Sequence, residues 1–267
     1  MPTLDVIIPC YRAAATLERA VLSTLEQTAC RRIILVDDGS SDATPAIIRQ
    51  LADTYPDKIT ALFLANNSGV AAARNFGAMA SDADLLAFLD ADDAYEPHAL
   101  DILPSIFEMM PQLSLVRLKL RPVNLAERYA THPNLAQAWD ILQMTVGGNT
   151  IFRKSIFLAC GGFPQDELFR ELGGEDGALG IALAQMTAVG TLFDDQHAGI
   201  LHHCRDGMHA ERLLDTYLFN QHDERITSWH TAYAQAVSER IKAQLASVRP
   251  VVSATAIGRT PLIVEYA

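Results

Sequence analysis

Residues 85–97 read LLAFLDADDAYEP, and this stretch decides the predicted fold. The apolar run from Leu85 to Leu89 has the length and the lack of alternation typical of a strand buried on both faces. Asp90, Asp92 and Asp93 follow it directly. Carboxylates at the carboxyl end of a buried strand lie at the crevice where open α/β sheets bind ligands.

The aspartate cluster admits two interpretations. One Asp could simply cap a turn before the helix that Pro97 begins. Crowded carboxylates repel one another, however, unless a hard cation or several hydrogen-bond donors compensate. Because a capping role needs only one of the three, we favour a divalent-metal site.

Composition limits the function classes. The chain has 267 residues, 49% of them hydrophobic, which is enough for one large α/β domain with an appendage or for two small domains. Its formal charge of −11 argues against a nucleic-acid footprint and against binding to an anionic membrane surface. The 4 cysteines are widely spaced without a CxxC, as in a reducing compartment. With no signal-peptide pattern and no span-length apolar run, we expect a cytoplasmic location and no transmembrane span.

The first half of the chain alternates strands and helices with short connections, which predicts a mostly parallel sheet. Chemistry-capable side chains follow three of the strands: Tyr11, then Asp37 and Asp38, then the aspartate cluster. This placement indicates a nucleotide crevice. Since neither GxGxxG nor GxxxxGK[ST] occurs, a dinucleotide fold and a phosphate-cradling P-loop are disfavoured.

The second half is less regular. Residues 121–138 read as a loop-rich segment. Gly147-Gly148 permits close backbone approach to a ligand, and Glu175-Asp176 opens a helix, where the dipole favours carboxylates but where acids are also ordinary. Adjacent His202 and His203 point to opposite sides of a strand, so at most one could be a ligand, and a satisfied polar role is the commoner one.

With these motifs in order, the chain resembles the family 2 glycosyltransferases of the GT-A fold over about Leu4 to His209. The matching segments are IIPCYR, LVDDGSSD, NNSGVAAARNFG, FLDADDAYEP and GNTIFRKSIFLACGGFPQDELF with GGED. The resemblance implies an α/β fold with a Rossmann-like, mostly parallel sheet flanked by helices. It also implies a domain at 1–209, divided into a nucleotide-binding half (1–97) and an acceptor-side half (98–209), with a C-terminal helix and extended arm at 210–267.

The resemblance also implies residue roles. Asp176 would be the general base, with Glu175 beside it in the catalytic pair. Asp92 would bind Mn²⁺ or Mg²⁺, and His203 is a second candidate metal or pyrophosphate contact. Gly148 and Asn149 would lie near the donor sugar. The residues implied to bind the nucleotide are Pro9, Tyr11, Asp38, Arg74 and Asp90.

The implied activity is metal-dependent, inverting transfer of a single sugar from a nucleotide diphosphate sugar, UDP-sugar first, to an acceptor hydroxyl of unknown type. The sequence departs from the family after Glu175-Asp176, where Gly177-Ala178-Leu179-Gly180 replaces a further acid and a basic residue. It also lacks QxxRW, which disfavours a processive synthase.

Two alternatives remain. One is a non-catalytic nucleotide-sugar-binding or scaffold protein with the same fold. The other is a sugar-nucleotide pyrophosphorylase, although PCYRAAA lacks the glycine-rich opening loop which that activity needs. Apolar residues of the C-terminal arm would be costly to leave in water, so we expect the arm to pair with its own domain or to form a homodimer. These residues are Val251, Val252, Ile257, Leu262, Ile263 and Val264.

Overall fold

The computed structural model describes residues 1–252 and 258–264, with the side chains of 249–252 outside that description. Its strands are β1 (Leu4–Cys10), β2 (Cys30–Asp37), β3 (Ile59–Phe63), β4 (Leu85–Phe88), β5 (Ala94–Tyr95), β6 (Leu113–Leu118), β7 (Leu120–Val123), β8 (Thr150–Arg153), β9 (Ala188–Leu192), β10 (Ile200–His203) and β11 (Gly258–Pro261). Its helices are α1 (Leu17–Leu25), α2 (Thr44–Thr54), α3 (Val70–Ala80), α4 (Leu103–Met109), α5 (Glu127–Ala130), α6 (Leu135–Leu142), α7 (Lys154–Ala159), α8 (Glu167–Leu172), α9 (Glu175–Met186), α10 (His209–Phe219) and α11 (Ser228–Val252).

The main sheet has the strand order β11-β9-β6-β8-β4-β1-β2-β3. Its strand pairs are parallel except where β8 lies antiparallel between β4 and β6. The prediction of a mostly parallel sheet flanked by helices is therefore confirmed. The parallel strands β1, β2 and β4 align their carboxyl ends at one edge, where a crevice is expected.

The inner strands of this sheet are buried on both faces, which explains their uninterrupted apolar runs. In β1, Val6 and Ile8 face a core shared with α1 and α2, whereas Ile7 faces a second core with α3, α9 and α11. Every residue of β4 is fully buried. Because successive side chains of a strand point to opposite faces, a doubly covered strand needs apolar residues at every position.

A second, three-stranded sheet positions part of the site. Its order is β5-β10-β7, with β10 antiparallel to β5 and parallel to β7. Since β5 begins directly after Asp93, this pairing brings the histidines at the end of β10 to the aspartate cluster.

The C-terminal elements pack on the same domain. Ser238 of α11 donates to the carbonyl of Ala178 on α9 over 3.1 Å, and β11 pairs in parallel with β9. Leu262 is buried, whereas Ile263 is 86% exposed. The described part of the arm thus pairs with its own domain, and Val251, Val252 and Ile257 lie outside the described side chains.

The segment 121–138 is more ordered than predicted, since it contains part of β7, all of α5 and the start of α6. Tyr129 is fully buried, and its hydroxyl donates to Asp215 of α10 over 2.7 Å. The indole of Trp139 donates to the carbonyl of Leu120 over 2.7 Å. These short elements are held by partners distant in sequence, so no local periodicity marks them.

Candidate active site

The first part of the site is a small cavity at the ends of β1 and β2. It has a volume of about 140 Å³ and is lined by Pro9, Cys10, Tyr11, Asp38, Asn67, Gly69, Val70 and Ala73. The Tyr11 ring is 45% exposed and forms an open wall. The structure therefore brings together three residues predicted to bind the nucleotide.

Asp38 connects this cavity to α3. Its carboxylate accepts the backbone N–H of Ser68 over 2.7 Å and that of Gly69 over 2.9 Å. These bonds fix the turn that precedes α3. A carboxylate has about four lone-pair sites, so acceptor capacity remains for a ligand.

Arg74 on α3 is the centre of the second part of the site. It is 3% exposed, and its Nη2 lies 2.6 Å from Oδ1 of Asp90. Its Nη1 lies 3.4 Å from Oε1 of Glu175, and the guanidinium stacks 5.1 Å from the ring centre of Phe163. Arg74 Nε is buried without a hydrogen-bond partner. One cation thus joins α3, the end of β4 and the start of α9.

Asp176 occupies the first turn of α9. Its Oδ2 accepts the N–H of Gly147 over 2.9 Å, and its Oδ1 accepts the N–H of Gly177 over 2.8 Å. Burial raises the pKa of Asp176, against the opposing charge of Arg74. Burial also raises the pKa of Glu175 to about 7, with a further rise from Asp176 and an opposing effect of Arg74. Burial thus raises the pKa of both acids, and perturbed acids grouped in this way are common at functional sites.

The Gly147-Gly148 loop fits against this cluster only without side chains. A Cβ on Gly148 would lie 2.6 Å from Oδ2 of Asp90, and one on Gly147 would lie 2.8 Å from Nη1 of Arg74. Asn149, in contrast, is completely buried, and its amide donates to the carbonyls of Leu118 and Gln143. The predicted donor-sugar side chain of Asn149 thus faces the interior and supports the loop.

The third part of the site surrounds Asp92 and Asp93. Asp93 is buried, bonded to Nδ1 of His202 and to the N–H of His203 over 2.8 and 2.9 Å. The Asp92 carboxylate is 32% exposed and pairs with Arg205 over 3.0 Å. Asp93 is therefore held inside the protein, whereas Asp92 is partly open to solvent.

Asp92 and His203 fit a site for a divalent cation whose remaining ligands come from the substrate and from water. Among residues 1–252 and 258–264, no group of three or more His, Cys, Asp or Glu side chains forms a metal cage. Mg²⁺, however, is typically bound by one or two carboxylates plus substrate phosphates and waters. Asp92 supplies such a carboxylate. His203 Nε2 is buried without a hydrogen-bond partner, and burial and Arg19 lower the pKa of this ring, which favours the neutral form that binds metals.

Comparison with known proteins identifies the family. The family model described as glycosyl transferase family 2 matches residues 5–161, more than half of the chain. The chain belongs to this family. An uncharacterised glycosyltransferase from Nostoc sp. is 42% identical over 106 residues, covering 39% of this chain and 33% of that protein. The minor teichoic acid biosynthesis protein GgaA from Bacillus subtilis is 32% identical over 125 residues, covering 45% and 27%. The matches thus span about a third or less of these relatives' own length.

Solved structures show the same GT-A fold. The mannosyltransferase PcManGT from Pyrobaculum calidifontis, in complex with GDP-Man and Mn²⁺, superposes with a TM-score of 0.59 at 21% identity, covering 96% of this chain and 76% of that one. TarS from S. aureus in complex with UDP gives 0.57 at 18% identity, covering 95% and 73%. At these identities the likeness shows the fold alone. Within the described residues, no helix has both the length and the apolar character needed to cross a bilayer.

Sequence reasoning missed two arginines of this site. Arg19 on α1 donates to the backbone carbonyl of Asp92, and nothing in its helical pattern marks that contact. Arg117 lies in the buried strand β6 near the Gly147 loop and was detectable, because a charged residue inside the run LSLVRL is unusual.

Proposed function

We propose that this chain is an inverting, metal-dependent glycosyltransferase that moves a single sugar from a nucleotide diphosphate sugar to an acceptor hydroxyl. The observation that carries the proposal is the position of Asp176. Its carboxylate is fixed by two backbone N–H groups next to the Arg74–Asp90 pair, at the strand-end crevice.

The proposed reaction is a single displacement. The acceptor oxygen attacks the anomeric carbon of the donor sugar, and the bond from that carbon to the diphosphate oxygen breaks. The electron pair leaves with the nucleoside diphosphate, and the hydroxyl proton passes to Asp176. Because a hydroxyl is a weak nucleophile at neutral pH, a positioned base with a raised pKa is the group this step needs.

The other residues bind and orient the donor. Pro9, Tyr11 and Asp38 would hold the nucleotide base, Arg74 and Asp90 the ribose and diphosphate side, and Gly148 would admit the donor sugar. Asp92, with His203, would hold Mn²⁺ or Mg²⁺, which when bound neutralises charge on the departing diphosphate. A second protein acid is then unnecessary, unlike in glycosidases.

We propose UDP as the nucleotide of the donor, with GDP as the second candidate. The TarS structure contains UDP and the PcManGT structure contains GDP-Man with Mn²⁺, and both share the fold at low identity. We also propose a glycosyltransferase domain at 1–209, a C-terminal helix and arm at 210–267, and a cytoplasmic location. A non-catalytic nucleotide-sugar-binding protein is the alternative function, favoured by the missing charged residues after Asp176.

A thermal-shift screen tests the proposal. The chain is heated with UDP, GDP, their common sugars and no ligand, each with and without Mn²⁺. A ligand at a hundred times its dissociation constant adds about 2.7 kcal/mol to the unfolding free energy. We expect one nucleotide to raise the melting temperature only with metal, and its sugar to be turned over. Binding without turnover would favour the non-catalytic alternative, and no response to any ligand would contradict the proposal.

A further inference from the structure

Arg117 is a buried cation in the strand β6. It is 2% exposed, and within the described residues no carboxylate oxygen lies within 4.0 Å of its guanidinium. Burial lowers the pKa of Arg117 to about 10, and the charge of Asp176 opposes that change. A buried, unpaired charge is costly to the folded state. The presence of such a destabilising charge suggests that Arg117 has a function.

The contacts of Arg117 surround the loop that holds Asp176. Its Nη1 donates to the carbonyl of Val146 over 2.6 Å and to Oδ1 of Asn149 over 3.1 Å. These two residues flank Gly147-Gly148, and the N–H of Gly147 is the donor to Oδ2 of Asp176. The guanidinium therefore fixes both ends of the short loop that orients this carboxylate.

Helix α9 leaves room for this guanidinium. A Cβ on Gly180 would lie 2.7 Å from Nη2 of Arg117. Gly180 follows Asp176 by four positions, so both lie on the same face of the helix. The helix sequence EDGALGIALAQM has no basic residue of its own, and the cation on this face comes from β6.

We propose that Arg117 is a positioning residue for the reaction: it clamps the Gly147 loop against Asp176 and places a positive charge behind that carboxylate. The inference rests on the proposed role of Asp176 as base. Arg117 touches no substrate in this arrangement and acts through Asp176 and the loop.

A direct test is the titration of Asp176 by NMR on protein labelled with ¹³C at Asp carboxyls, with the Asp176→Asn spectrum providing the assignment. The charged groups that influence Asp176 from the surrounding elements are Arg74 on α3, Asp90 after β4, Glu175 on α9, His209 on α10 and Arg117 on β6. Only the last is changed between the variants compared.

Arg117→Met removes the charge at similar size, and we expect the pKa of Asp176 to rise by about one unit. Arg117→Lys keeps the charge and should leave the pKa near the wild-type value. Gly180→Ala displaces the guanidinium and should raise the pKa part of the way, whereas the adjacent, exposed Ile181→Ala is the matched control and should not change it.

An unchanged pKa of Asp176 in Arg117→Met would overturn the inference, as would an equal rise in Arg117→Lys. If Arg117→Met does not fold, Gly180→Ala decides: an unchanged pKa overturns the inference. Since the titration needs no substrate, a chain that turns over no nucleotide sugar would refute the proposed function and leave this result readable. Where turnover is found, kcat should fall at least about tenfold in Arg117→Met, with the donor KM within about threefold.

Discussion

The backbone N–H of Gly147 donates to Oδ2 of Asp176 over 2.9 Å, although the two residues are 29 positions apart. This bond joins the loop before β8 to the first turn of α9. Asp176 is thereby held by backbone groups, which have less freedom than side chains. In the reaction we propose, a carboxylate held this way would accept the proton in a fixed direction.

Alanine substitutions at Gly39 and Gly207 test how closely the turn after β2 approaches the turn before α3. Both have positive φ, +66° and +75°, so alanine costs backbone strain of about 1–2 kcal/mol at either position. Only at Gly39 would the new Cβ lie 2.6 Å from backbone atoms of Asn66 and Asn67. We expect Gly39→Ala to lower the free energy of unfolding by at least about 2 kcal/mol more than Gly207→Ala, measured by urea unfolding. Equal losses would contradict the close approach of these two turns.

The raised pKa of Glu175 predicts that the stability of the protein depends on pH. Its folded-state pKa is raised to about 7 from 4.5, so between these values the folded protein binds more protons than the unfolded chain. The free energy of unfolding should therefore fall as the pH rises from about 4.5 to 7, by up to roughly 3 kcal/mol, and level off above. Glu175→Gln should flatten this slope in urea unfolding at several pH values. A wild-type stability that rises with pH across this window would contradict the assignment.

Asp92 should control the effect of metal. Asp92→Asn removes the charge of the partly exposed carboxylate that we propose as the metal ligand. We therefore expect Mn²⁺ to bind at least about tenfold more weakly in the presence of nucleoside diphosphate, measured by calorimetry. The exposed Asp206→Asn removes the same charge nearby and serves as the control. Equal Mn²⁺ affinity in the wild type and Asp92→Asn would exclude Asp92 as a ligand.

The core of the fold was predictable because β1, β2 and β4 can each be recognised from local sequence. Their continuous apolar runs end in Asp or Tyr residues, and this pattern alone indicates a doubly covered parallel sheet with a crevice. The resemblance to the family then implied site roles for Arg74, Asp90 and Asp176. In the structure, Arg74 pairs with Asp90 after β4, and Asp176 lies in the first turn of α9.

What the sequence did not reveal depends on long-range contacts. The short β8 is a strand because it fits antiparallel between β4 and β6. The family resemblance implied that Asn149 lies near the donor sugar, yet its buried amide donates to the carbonyls of Leu118 and Gln143. Sequence reasoning missed Arg117, although it is a charge inside a buried strand, and only its contact with α9 shows which carboxylate it affects.

The most direct test of the central claim compares the wild type with Asp176→Asn. With the nucleotide sugar that binds best, nucleoside diphosphate release is followed with Mn²⁺ present, and donor binding is measured by calorimetry on the same samples. We predict that Asp176→Asn lowers kcat by at least about a thousandfold while the donor dissociation constant stays within a few-fold. Turnover near the wild-type rate, or a loss of donor binding that matches the loss of turnover, would contradict the role of Asp176 as the base.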